Sequence, residues 1–137
     1  ISGPILDRID LHVEVPTLPQ EILLNEEAAE SSASIRERIL AARARQADRF
    51  PDKVFKINRF LRPREIKRFC RVDTGTEKLL SLAIREFGFS ARAYFKILKI
   101  ARTIADLAGE DRIQEPHVAE AIQYRSLDRN WIESRLG

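Results

Sequence analysis

The chain has no methionine, a single cysteine, no glycine-rich loop and no long apolar run among its 137 residues. One thiol, Cys70, excludes an internal disulfide. Its place between Phe69 and Arg71 on a predicted helix suits a small buried residue in a reducing compartment. His12 and His117 are far apart and have no Cys or His at metal-ligand spacing, so no metal site is expected. Nothing reaches membrane-spanning length, and no signal-peptide pattern opens the chain. There is no G-x-x-x-x-G-K-[ST] loop and no hydrophobic run ending in paired acids. The chain therefore lacks the parts that hold a nucleotide and a magnesium ion. Ser31, Ser32 and Ser34 read as helix caps rather than nucleophiles. The start ISGPILDRID, without Met at position 1 and already in the rhythm of a folded element, predicts a segment of a larger protein.

Charge is present in quantity and unevenly placed. A hydrophobic content of 44% and a charged content of 33% predict a soluble globular protein. Residues 1–30 set Arg8 against seven acids, residues 31–71 hold 13 basic and 4 acidic side chains, and residues 72–137 balance. Such a basic block can neutralise phosphates, and Arg36, Arg43, Arg45, Arg49, Arg64, Lys67 and Arg68 are the candidate DNA contacts. The competing reading is a solvated helix face laced with Arg–Glu pairs.

Hydrophobic periodicity predicts a mainly helical protein. Residues 2–8 read as the end of a helix. IDLHVEV (9–15) alternates Ile9, Leu11, Val13 and Val15 inward with Asp10, His12 and Glu14 outward, as a half-buried strand whose sheet partners lie upstream. An acidic connector with one short helical turn follows. Ser34 and Glu37 form a capping box for a helix ending near Phe50, with Ile35, Ile39, Ala42 and Phe50 on a narrow apolar side. Residues 51–61 are irregular, and Pro63 opens a short helix. Asp73 or Thr74 caps the next helix, which stops at Gly88. Pro116 opens a last helix with Val118, Ala121 and Ile122 inward, and the remaining residues are a tail.

GFSARAYFKILKIARTIADLAG (88–109) carries the most chemistry. Ser90 caps an amphipathic helix with Tyr94, Ile97, Leu98, Ala101, Ile104 and Ala105 inward. Arg92 sits in its first turn, where the helix dipole disfavours a cation. An anion at that end would account for the placement, because free amides and a guanidinium together bind phosphate. The alternative is a solvated stripe of Arg92, Lys96, Lys99, Thr103 and Asp106.

SGPILDRIDLHVEVP, ESSASIRERILAAR, FCRVD, GFSARAYFKILKIARTIADLAG and HVAEAIQYRSLDR, in this order from Ser2 to Arg129, resemble the C-terminal part of magnesium-chelatase-like AAA+ ATPases of the ComM/YifB type. In that family a Lon-protease-like domain precedes a nucleotide-binding core, and a helical lid ends the chain. The resemblance implies a helical-bundle lid preceded by one helix and one strand from the end of the α/β core. It divides the chain into a core end (1–16), an acidic linker (17–31), the lid (32–125) and a tail (126–137). LDRID resembles the arginine-finger position, which makes Arg8 the group offered in trans to a neighbour's ATP. Arg92 resembles the sensor-2 arginine, in cis or in trans.

The activity implied is ATP-driven branch migration by a hexameric helicase during integration of imported DNA in the bacterial cytoplasm. The partners implied are further copies of the protein and DNA, with no membrane. ATP and Mg2+ belong to the full-length protein, the isolated segment being inactive and holding no cofactor. The family name implies no tetrapyrrole binding. Two other readings remain open: an autonomous basic DNA-binding module, and an element that only joins subunits.

Overall fold

Helix α6, Ala91–Leu107, is the axis of the molecule. Ser90 begins it by accepting a hydrogen bond from the Ala93 amide at 3.1 Å. Ile97, Leu98, Ala101 and Ala105 then fall on one buried face, with Tyr94 and Ile104 half-buried at its edges. The computed structural model describes residues 3–24, 29–55 and 57–126. Their elements are α1 (Gly3–Arg8), α2 (Gln20–Leu23), α3 (Ser32–Arg49), a 3-10 turn (Asn58–Phe60), α4 (Pro63–Phe69), α5 (Thr74–Phe87), α6 and α7 (Glu115–Ser126). The fold is mainly α. Helix α6 packs against α7, α3, α4 and the 3-10 turn, while α5 packs against α7.

The core forms where these helices present their small and branched residues. Leu80 and Ala83 from α5 meet Ile97, Leu98 and Ala101 from α6 and Val118, Ala119, Ala121 and Ile122 from α7. Each fully buried Leu or Ile removes enough apolar surface from water to stabilise the fold by about 2–3 kcal/mol. Phe50, Leu61, Ile66 and Cys70 extend the same cluster under α3 and α4. Burial pushes the Cys70 thiol up to about 11. Helix ends follow the expected chemistry. Asp73 caps α5 by accepting from the Thr76 amide at 2.7 Å, and that bond is the main cause holding its carboxyl below the usual range. Gly88 closes α5 at φ 64°, a left-handed geometry that favours glycine.

Three expectations change. Residues 9–15 form no strand among the described residues, since a lone strand has no ladder partner here. Their apolar positions face solvent rather than a core, Val13 at 61% and Val15 at 85% exposure. Second, α3 starts earlier than the Ser34–Glu37 pattern predicts. Ser31 is the cap, accepting from the Ser34 amide at 3.2 Å, and the Ser34 hydroxyl donates to Glu30 instead. Third, only the last part of α3 reaches the core. Ala42, Gln46 and Phe50 are buried, whereas Ile35, Ile39 and Leu40 are exposed. Most of the tail, residues 127–137, lies outside the described residues.

Candidate functional site

The stripe on α6 that periodicity leaves as a solvated face is largely covered. Asp106, 2% exposed, is its most buried member. It receives both terminal nitrogens of Arg49, at 3.0 and 2.6 Å, and the Asn58 side-chain amide at 2.8 Å. Arg102 Nε stands 3.2 Å from the same carboxylate as an ion pair, too far off line for a hydrogen bond. The terminal nitrogens of Arg102 turn to the carbonyls of Glu110 and Asp111, which follow the C-terminus of α6. Burial works against the charge on Arg102 and lowers its pKa, while Asp106 opposes that shift. Thr103 accepts from Asn58 at 3.0 Å, and Lys99 donates to the Arg59 carbonyl at 3.0 Å. The stripe is thus a polar seam joining α6 to α3 and the 3-10 turn.

The N-terminal end of the stripe differs. Arg8, the last residue of α1, and Arg92, in the first turn of α6, are both exposed and lie beside the same hollow. Neither guanidinium has a hydrogen bond or ion pair among the described residues. The hollow, of about 430 Å³, is lined by Arg8, Arg92, Phe95, Lys96 and Lys99. Four cations and no carboxylate line it, the arrangement expected for a polyanion. A larger neighbouring groove, of about 640 Å³, shares Arg8, Lys96 and Lys99 and extends toward Ile104 and Tyr124.

The chain brings these two arginines together by tying α1 to the bundle. Lys96 donates to the Asp7 carbonyl at 2.7 Å and pairs with the Asp10 carboxylate at 2.9 Å. Arg125, on α7, donates to the Ile9 carbonyl and stands 3.5 Å from the Asp7 carboxylate. The Ser90 hydroxyl donates to that carboxylate at 3.3 Å. The anion beside the start of α6 is therefore Asp7, bound through Ser90 rather than through Arg92. The His12 amide donates to the Tyr124 carbonyl at 2.6 Å, and the His12 ring bonds Leu6 at 3.1 Å, so His12 is half-buried rather than solvated.

The basic block splits into two groups. Arg45 is held by Asp111 at 2.9 Å and the Gly109 carbonyl at 2.6 Å, and Arg49 by Asp106. These two charges already serve the fold. Arg36, Arg43, Arg64 and Lys67 are exposed, with no side-chain hydrogen bond or ion pair among the described residues, and Arg68 stacks over Phe69 at 4.9 Å. No group of three or more His, Cys, Asp or Glu capable of holding a metal occurs among the described residues, and the cationic hollow offers Mg2+ no ligand. No helix among them is long and apolar enough to cross a membrane. Sequence reasoning missed Lys96, Arg125, Asn58 and Asp106 as organisers. Lys96 had a signal, standing one turn after Arg92, while Arg125 and Asn58 had none because their partners are remote in the chain.

The family model described as "Magnesium chelatase, subunit ChlI C-terminal" matches residues 29–125. The chain belongs to this family. It is a C-terminal domain of the magnesium-chelatase-like, ComM/YifB group. Competence protein ComM of Haemophilus influenzae is 46% identical over 130 residues, covering 94% of this chain and 25% of that protein. Uncharacterized protein YifB of Escherichia coli is 41% identical over 130 residues, with the same coverage. An uncharacterized protein of Mycobacterium bovis is 30% identical over 125 residues, covering 91% of this chain and 25% of that protein. The chain spans about a quarter of the length of these relatives. The magnesium-chelatase-like match begins just before α3 and ends within α7, so it takes in the whole bundle and leaves α1 outside.

Proposed function

We propose that this domain is the lid of an ATP-hydrolysing ring protein of the ComM type, and that Arg8 and Arg92 act together on one triphosphate. The observation that carries this reading is the shared hollow, with both guanidiniums unpaired at its edge and no acid in its wall. Two forks converging on one concavity suit the γ-phosphate, where charge develops as the phosphoryl group is transferred. An arginine finger reaches the nucleotide of a neighbouring subunit, so a triphosphate shared by both arginines is one held by a neighbour in the full-length protein. Arg8 is then a finger in trans, and Arg92 is a sensor working in trans beside it. Magnesium is held by the parent's core, because this hollow repels cations.

The wider activity proposed is the one that the resemblance to the ComM type implies. Hydrolysis around a hexameric ring in the cytoplasm would move lids against cores and drive branch migration of DNA. Arg36, Arg43, Arg64, Lys67 and Arg68 are the DNA-facing charges in this reading, while Arg45 and Arg49 stay in their internal pairs. In the full-length protein, Arg8→Ala and Arg92→Ala each abolish ATP hydrolysis while DNA binding is largely retained. Normal turnover in both variants defeats the proposal.

A second reading is supported by the unpaired cations on α3 and α4, which could grip phosphates without any ATPase. In that case the isolated domain binds duplex DNA with a steep salt dependence, and Arg8→Ala changes nothing.

A further inference from the structure

Arg8 reaches into open space, yet the residues on both sides of it are held. The carbonyl of Asp7 belongs to the last turn of α1, where helix geometry leaves acceptors without an intrahelical partner. Lys96 supplies a donor to it at 2.7 Å, and its ammonium is a favourable charge at a helix C-terminus. The same ammonium pairs with Asp10 at 2.9 Å. One lysine on the lid therefore bridges the residue before Arg8 and the second residue after it. Arg125, whose side chain is 4% exposed, takes the Ile9 carbonyl between them. Arg8 is bracketed by lid contacts and contributes none itself.

We infer that Lys96 is a positioning residue for Arg8, clamping the finger-bearing turn so that the Arg8 guanidinium is set beside Arg92 at the shared hollow. The inference rests on the function proposed above and adds a role for a residue that function does not require. With residues 7, 9 and 10 held by Lys96 and Arg125, the backbone on both sides of Arg8 is fixed and its guanidinium is directed to the hollow. Arg92 lies on the same α6 as Lys96, one turn earlier, and lines the same hollow. The clamp works through backbone and carboxylate contacts, so its loss misplaces Arg8 without removing a charge from Arg8 itself.

The test uses the full-length protein and steady-state ATP hydrolysis. Lys96→Met lowers kcat at least tenfold, leaves KM for ATP within about twofold and leaves ring assembly unchanged by gel filtration. Lys96→Arg, which keeps a cation and donors, recovers most of the rate. Asp10→Asn, at a side chain 61% exposed, lowers kcat severalfold and has little further effect once Lys96→Met is present. A Lys96→Met protein that turns over normally beside an inactive Arg8→Ala overturns the clamp and leaves the proposed function standing. A raised KM with no effect of Asp10→Asn also overturns it, because Lys96 is then a direct phosphate contact. If Arg8→Ala itself is fully active, the failure is that of the proposed function. Should Lys96→Met not assemble, Asp10→Asn alone decides: full kcat in that variant overturns the clamp.

Discussion

Helix α6 is surrounded by α7, α3 and α4 and turns every small residue of one face into core, whereas residues 9–15 leave Ile9, Leu11, Val13 and Val15 largely in water. The bundle pairs its buried charges internally, with Asp106 gathering Arg49, Arg102 and Asn58 out of solvent. The preceding segment is attached by ion pairs and backbone hydrogen bonds to Lys96, Arg125 and Tyr124. The contrast separates what makes a fold from what makes a working contact. Buried networks define the bundle, and half-exposed polar links fasten a reactive side chain to it. The two regions should therefore answer differently to mutation, pH and salt.

The strongest way to break the contrast is to remove Asp106. Asp106→Ala leaves two guanidiniums facing each other out of water, and the bundle loses about 3–5 kcal/mol in urea denaturation. A loss under 1 kcal/mol would show that the seam does not organise the bundle. Alkaline pH gives the next effect. The folded thiol of Cys70 titrates at about 11 against an ordinary 9.0, so the folded state holds its proton where the unfolded chain has lost it. That stabilisation is fully present below pH 9 and falls as pH rises toward 11, by roughly 3 kcal/mol. Cys70→Ala shows a correspondingly smaller alkaline decline, measured by denaturant midpoints at each pH.

Ser90 sits at the junction of the two regions, capping α6 and bonding Asp7. Ser90→Ala lowers stability by about 1 kcal/mol, a typical loss of an N-cap. The mildest effect separates the regions by ionic strength. Raising salt from about 0.05 M to about 0.5 M screens the Lys96–Asp10 pair and speeds proteolysis within residues 9–19 severalfold. The midpoint of the bundle hardly moves, because the Asp106 pairs that organise it are buried. Equal sensitivity of both regions would contradict the division.

Much of the bundle was readable from local signals. Ser90, Asp73, Pro63 and Gly88 mark helix ends by hydrogen-bond and dihedral rules that act within a few residues, and the inward positions of α6 and α7 follow their period. The misreadings share one cause, which is that partners distant in sequence decide the outcome. Asp106 looked like the end of a solvated stripe because Arg49 and Asn58 stand 57 and 48 residues away. Arg45 and Arg49 looked like free charges for the same reason. The alternation in 9–15 was a real strand pattern, but a pattern does not supply the neighbour that a ladder needs. Arg8 and Arg92 were each visible as motifs, and their meeting around one hollow was not, because only tertiary contacts from Lys96, Ser90 and Arg125 bring α1 there.

The most direct test of the central claim mixes two full-length proteins, one carrying Arg8→Ala and the other Arg92→Ala, and measures ATP hydrolysis. If both arginines of one subunit serve the same neighbouring triphosphate, every interface in a mixed ring lacks one of them, and no activity returns. If hydrolysis reappears on mixing, the two arginines complete different sites, and their joint action on one phosphate is wrong.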